Sequence, residues 1–137
     1  MKNSTTKFES RVASHGPFIS IDYGTRKSGL AYSVESFCFA HTTVPTKELI
    51  GYLTKWEKQK SCEGIIIGLP LNIDGTESKH SSKVRKFAKE IETLFPSKKI
   101  VLHDERLTTS EARLSGAEDI DAESARLILS DYLENNE

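Results

Sequence analysis

The sequence predicts an α/β domain with a mixed five-stranded sheet, in which three antiparallel strands are followed by two parallel strands, flanked by helices. The run 64–69 is apolar throughout, with no alternation, which is typical of a strand buried on both faces of a parallel sheet. A polar turn around Gly24 separates two β-rich runs and predicts a hairpin. Helical periodicity between the later strands implies right-handed crossovers, so those strands are expected to pair in parallel.

Apolar patterns and their end signals place each element. Strands are predicted at Phe18–Ile21, Gly29–Ser33, Phe37–Val44, Gly64–Leu69 and Lys99–His103. The predicted helices run from Thr46, taken as an N-cap, to about Lys58; from about Lys79 to Phe95; from Thr108 to near Gly116; and from Asp121 to about Glu134.

Length and composition indicate one globular domain. The chain has 137 residues, a formal net charge of −1, and 36% hydrophobic and 28% charged residues. Residues 1–16 contain no hydrophobic segment and are expected to form a mobile tail before a domain spanning 17–137. No apolar run approaches the ~20 residues of a membrane span, so no membrane partner is expected.

The two cysteines, Cys38 and Cys62, have neither a CxxC nor a zinc spacing and are expected to be buried, reduced thiols. That state predicts a cytoplasmic protein. The sequence leaves its oligomeric state open between a monomer and a weak homodimer.

Acidic residues stand where the predicted sheet would place a site. Asp22 ends the first strand, and Asp104 and Glu105 end the last one. Sites in such sheets form at the carboxyl ends of the strands. Asp121 shares a helix face with residues 125, 128 and 132, so it should point at the sheet. Converging carboxylates would need a counter-ion, and oxygen-rich clusters suit Mg²⁺ or Mn²⁺.

Each acid also has a purely structural interpretation. Asp22 could hydrogen-bond only the turn amides, and Asp121 could be an N-cap. Since adjacent strand residues face opposite ways, only one of Asp104 and Glu105 can face Asp22.

Lys79, Lys83 and Lys86 share one face of a predicted helix, the one clearly basic surface in the sequence. They are expected to contact phosphates, although a solvated lysine face is the alternative.

Five segments, in order, closely resemble the bacterial YqgF/RuvX family of Holliday-junction-resolvase-like proteins and pre-16S rRNA nucleases, which has a ribonuclease H-like fold. The segments are 21–31 (IDYGTRKSGLA), 68–76 (GLPLNIDGT), 84–88 (VRKFA), 104–109 (DERLTT) and 121–125 (DAESA). The resemblance implies a metal-dependent nuclease acting on structured RNA, the rRNA precursor, or on branched DNA.

The resemblance also implies roles for individual residues. Asp22, Glu105 and Asp121 would be the catalytic and metal-binding residues, with Glu105 favoured over Asp104. The nucleic-acid-binding residues would be Thr25, Arg26, Lys27, Asn72, Lys79, Lys83, Lys86 and Arg106.

Three other functions are weighed against this one. The family commonly has a longer, lysine-rich stretch before its last Asp, whereas residues 114–120 are short and contain no lysine. This departure favours a non-catalytic RNA-binding factor in ribosome assembly. Holliday-junction cleavage is a second alternative. An actin-like phosphotransferase is a third, and it is disfavoured because that class needs two such domains around a cleft.

Overall fold

Five strands form one mixed sheet in the computed structural model, which describes residues 17–59, 62–105 and 119–136. The sheet order is β3-β2-β1-β4-β5. Strand β1 is central, antiparallel to β2 and parallel to β4, and β5 is parallel to β4. This confirms the predicted pattern of strands. Their bounds are β1 (Phe18–Asp22), β2 (Lys27–Val34), β3 (Phe37–Pro45), β4 (Gly64–Leu69) and β5 (Lys99–Asp104).

Three α-helices flank the sheet in the described ranges. A 3₁₀ turn over Thr46–Glu48 leads into α1 (Leu49–Gln59), and α2 (Lys79–Leu94) and α3 (Ile120–Asn135) follow. The predicted tail at 1–16 and the predicted helix at 108–116 lie outside the described residues. No helix in the described ranges is long and apolar enough to cross a membrane.

The helices divide between the two faces of the sheet. Ile19 and Ile21 of β1 pack in the larger core with residues of α1 and α2, whereas Phe18 packs in a smaller core with Ile66 and the apolar residues of α3. Because side chains alternate along a strand, we call these two sides of the sheet the α1/α2 face and the α3 face.

One local prediction was wrong. Thr46 is not an N-cap: Pro45 holds that position without a side-chain cap. The Thr46 hydroxyl instead donates to the Gly24 carbonyl oxygen at 2.6 Å, because the hairpin turn lies against it. Gly24 does not adopt a positive φ. A Cβ there would lie 2.2 Å from the Lys27 carbonyl oxygen, so close approach explains this glycine.

Both cysteines are free thiols, as predicted, but only Cys62 is buried, whereas Cys38 is half-buried. Burial raises the pKa of Cys38 to about 11 and that of Cys62 to about 12. Both therefore stay protonated and unreactive near neutral pH.

Candidate metal and nucleic-acid site

Strand alternation places Asp22 on the α3 face of the sheet. Two residues earlier, the Ser20 hydroxyl donates to the Ala125 carbonyl oxygen of α3 at 2.6 Å. Two residues earlier again, the ring of Phe18 lies 5.9 Å from that of Tyr132. Asp22 continues this series, so its side chain lies on the side where α3 begins.

Glu105, and not Asp104, belongs to the α3 face. His103, two residues before Glu105, places Nε2 2.6 Å from an Asp131 carboxylate oxygen on α3. A Cβ built on Gly68 would lie 2.9 Å from Cγ and Cδ of Glu105. The side chains of Glu105 and of Ile128 on α3 therefore share the space left by this glycine of β4. Asp104 has the opposite orientation, the one shared by Leu102, which packs in the larger core.

Asp121 is the second residue of α3, and it is not the N-cap. Asp119 has that role, since its carboxylate accepts from the Ala122 amide at 3.1 Å. A Cβ on Gly29 would lie only 1.9 Å from the Asp121 carbonyl oxygen. Gly29 is the register partner of Asp22, so the start of α3 lies over the strand beside Asp22. The capping interpretation of Asp121 is thereby removed.

A lysine ammonium lies beside one of these carboxylates. Lys27 Nζ is 3.2 Å from Oδ2 of Asp121, and the side chains are 68% and 32% exposed, respectively. A pair this exposed contributes little to stability. In the described ranges, no three His, Cys, Asp or Glu side chains are grouped closely enough to hold an ion.

The donor chemistry nevertheless fits a divalent cation. Hard oxygen ligands suit Mg²⁺ or Mn²⁺. Mg²⁺ usually keeps several waters and binds through one or two carboxylates together with substrate phosphates. Gly68 and Gly29 leave the room that Glu105 and the first turn of α3 occupy beside Asp22. A preassembled group of three ligands is therefore not required.

The hairpin turn adds cationic side chains to this end of the sheet. Thr25, Arg26 and Lys27 are exposed. A cavity of about 510 Å³ is lined by Arg26, Lys27, Thr43, Val44 and Pro45. The cavity is therefore bordered by two cations and lies next to the residue that pairs with Asp121.

The three predicted phosphate-binding lysines of α2 lie in another layer. Lys79, Lys83 and Lys86 are all exposed, but α2 packs on the α1/α2 face. Lys79 starts the helix just after the loop that follows β4, and Lys86 is about 10 Å farther along the axis. The three therefore form a track leading away from the acidic end.

Asn72 and Arg106 were also predicted to bind nucleic acid. Asn72 uses its side-chain amide within its own loop, donating to Thr76 Oγ1 at 3.0 Å and to the Glu77 carbonyl oxygen at 3.1 Å. Arg106 lies outside the described residues.

Besides the Lys27–Asp121 pair, sequence reasoning missed three features near the acids. The first is the His103–Asp131 pair, which joins β5 to α3 beside Gly68, the register partner of His103. Strand alternation could have placed His103 on that face. The others are the close approaches at Gly29 and Gly68, which had no local sequence signal because the contacting atoms are distant in the chain.

Comparisons with known proteins identify the family of this chain. The family model described as "RuvX: Holliday junction resolvase" matches residues 16–135. A Sodalis glossinidius protein named "Putative pre-16S rRNA nuclease" is 36% identical over 138 residues, covering 90% of this chain and 97% of the relative. A Rickettsia bellii protein of the same name is 39% identical over 116 residues, covering 80% of this chain and 74% of the relative.

A solved structure agrees with the fold. The structure of "T. thermophilus RuvC in complex with Holliday junction substrate" matches with a TM-score of 0.56 at 14% identity, covering 89% of this chain and 97% of that one. The predicted ribonuclease H-like fold is confirmed, as is the nuclease class to which the relatives' names refer. The match over residues 16–135 and the identities above 30% show that this chain belongs to the RuvX family.

Proposed function

We propose that this protein is a metal-dependent nuclease that hydrolyses phosphodiester bonds of structured RNA, with precursor 16S rRNA in the cytoplasm as its substrate. The observation that carries the proposal is the placement of Asp22, Glu105 and the first turn of α3 on one face, at the carboxyl ends of neighbouring strands. The relatives named as pre-16S rRNA nucleases supply the substrate.

Acidic residues of the chain would bind the cation, and basic residues would bind the phosphates. Asp22 and Glu105 would bind Mg²⁺ or Mn²⁺ from fixed strand ends, with Asp121 as a third ligand from α3. The bound ion would activate a water and neutralise charge on the phosphate. Lys27 and Arg26 would neutralise neighbouring phosphates of the same strand, and Lys79, Lys83 and Lys86 would follow the backbone farther away.

The test is a cleavage assay on precursor 16S rRNA with its 5′ extension. Wild-type protein is expected to cleave it in Mn²⁺ or Mg²⁺ and not in chelator. Added Mn²⁺ should also raise the melting temperature, because an ion that binds only the folded state stabilises it. If the protein neither cleaves nor gains stability from the ion, the proposal fails.

Two other functions each have an observation in their favour. The family's description as a Holliday junction resolvase and the fold shared with junction-bound RuvC favour a four-way DNA junction as substrate. The Lys27–Asp121 ion pair favours a non-catalytic RNA-binding assembly factor, since it supplies Asp121 with a counter-ion from the chain itself. Junction DNA in the same assay tests the first. RNA binding that chelator does not change, without cleavage, would support the second.

A further inference from the structure

The loop between β4 and α2 is held in one shape by its own hydrogen bonds. The Asn72 amide donates to the Thr76 carbonyl oxygen at 2.9 Å, and the Gly75 amide donates to the Asn72 carbonyl oxygen at 2.8 Å. The Asp74 carboxylate accepts from both the amide and the hydroxyl of Thr76. Gly75 has φ 90°, a conformation that suits glycine.

The ends of this loop are also fixed. The Ser78 hydroxyl donates to the Pro70 carbonyl oxygen at 2.6 Å, which closes the base of the loop. Arg85 makes two hydrogen bonds of 2.8 Å to the Glu77 carboxylate. The loop is therefore preorganised by hydrogen bonds within the chain.

The side chain at the tip of this preorganised loop is a large aliphatic one. Ile73 is 94% exposed, more than any other large hydrophobic residue in the described ranges. Burial cannot explain an isoleucine there. The side chains that shape the loop by hydrogen bonding are polar ones, those of Asn72, Asp74 and Thr76, and an aliphatic side chain has no group that could take part.

The loop stands at the acidic end of the sheet. It follows β4 directly, and β4 lies between the strands that end in Asp22 and lead to Glu105. Past the loop, His80 Nε2 is 2.7 Å from the carbonyl oxygen of Tyr23, the residue after Asp22. A nucleic acid whose backbone lies over the acids would therefore meet the loop.

We propose that Ile73 is a wedge that inserts at a stacked base step of the nucleic acid bound at this site. The inference rests on the proposed nuclease function and adds how that site selects its substrate. Apolar side chains inserted between bases unstack them and bend the helix. A bulge or a strand junction is unstacked more easily than a continuous duplex, so the wedge favours structured RNA with such a defect.

The experiment uses the full chain and a fluorescent base. An RNA hairpin with a bulge carries 2-aminopurine beside the bulge, and binding is measured in chelator so that no cleavage occurs. Wild-type protein should raise the 2-aminopurine fluorescence as the base unstacks. Ile73→Ser should abolish that rise and slow cleavage in Mn²⁺ by about tenfold, with an unchanged melting temperature. Ile73→Met should retain both, because it keeps an apolar wedge.

Leu94→Ser is the matched control. Leu94 is an exposed aliphatic residue at the far end of α2, and its replacement should leave fluorescence and cleavage at wild-type values. Wild-type protein that cleaves the RNA without a fluorescence rise would overturn the wedge and leave the nuclease proposal standing. Equal fluorescence rises for wild type and Ile73→Ser would also overturn it. Wild-type protein that neither binds nor cleaves the RNA would overturn both.

Discussion

The two ends of the α3 face are built in opposite ways. At the amino ends of the central strands, Phe18, Ile66 and Tyr132 fill the space between sheet and helix with large apolar groups. At the carboxyl ends, Gly29 and Gly68 have no side chains. The Asp121 backbone fills the space at Gly29, and the side chains of Ile128 and Glu105 share the space at Gly68. Large apolar side chains therefore fill one end, whereas the other brings an acidic side chain and the start of α3 close to the sheet. Variants at the two ends should separate stability from activity.

Asp22→Asn should have the largest effect, confined to the site end. It keeps the shape and deletes one charge, so cleavage should fall by roughly 100-fold or more, with stability equal to or above that of wild type. Cleavage rates and melting temperatures, with and without Mn²⁺, measure both. Wild-type cleavage by this variant would exclude Asp22 from catalysis.

Ile66→Ala should lower stability and preserve activity, because Ile66 is fully buried. The free energy of unfolding should fall by about 2–5 kcal/mol, with cleavage per folded molecule preserved below the melting transition. Ile73→Ala makes the same chemical change at an exposed position and should alter stability by less than about 0.5 kcal/mol. Urea denaturation of both variants measures the difference, and similar losses would mean that Ile66 is misplaced.

Gly29→Ala tests the close approach itself. A Cβ there meets the Asp121 carbonyl oxygen, so the start of α3 must move away, at a cost of about 1–3 kcal/mol. Cleavage should fall as well, since Asp121 moves with it. Gly51→Ala, within α1 and with nothing within 4 Å of the added carbon, should instead stabilise by about 0.5–1 kcal/mol. Equal effects of the two substitutions would contradict the approach of α3 to β2.

Replacement of Lys79, Lys83 and Lys86 by Gln should change RNA affinity more than stability. The slope of log affinity against log salt should decrease by about 2 if all three contact phosphates. The matched control replaces three other exposed lysines by Gln: Lys47 in the 3₁₀ turn, and Lys55 and Lys58 in α1. A slope that changes equally in both variants would show that the α2 lysines act only through net charge.

The smallest effect concerns pH and the loop after β4. Hydrogen bonds from Arg85 and then Ser81 lower the pKa of Glu77 to about 2 from its usual value of 4.5. The contribution of this pair is therefore fully present above pH 4.5 and is lost as the pH falls toward 2. An NMR titration of the Glu77 carboxyl group should give the low pKa, and Arg85→Gln should return it toward 4.5. If Glu77 in the wild-type protein has its usual pKa, the Arg85–Glu77 pair does not form in solution.

Much of the fold follows from local patterns in the sequence. The apolar run of β4 has the predicted bounds, because they depend on spacing within one element. Asp119 was missed as the N-cap because Asp121 also fits the local pattern. The contact between Asp119 and Thr43 on β3 cannot be read from α3 alone.

The candidate site follows from residue types in the sequence, whereas its packing does not. Strand ends indicated Asp22 and the Asp104–Glu105 pair, and the family resemblance favoured Glu105. The spaces at Gly29 and Gly68 depend on chain segments that meet only in the folded protein. The Lys27–Asp121 pair is of the same kind, since it joins residues more than 90 positions apart.

The register of β5 decides which of two neighbouring acidic residues faces α3. Asp104 and Glu105 are neighbours, and only the odd-numbered residues of β5 point toward α3. A one-residue deletion early in β5 would exchange the side chains that follow it between the two faces. It would place Asp104 at the position of His103, on the α3 face, and would move the charge of Glu105 to the side of the larger core. The chain should therefore tolerate substitutions in this strand far better than changes in its length.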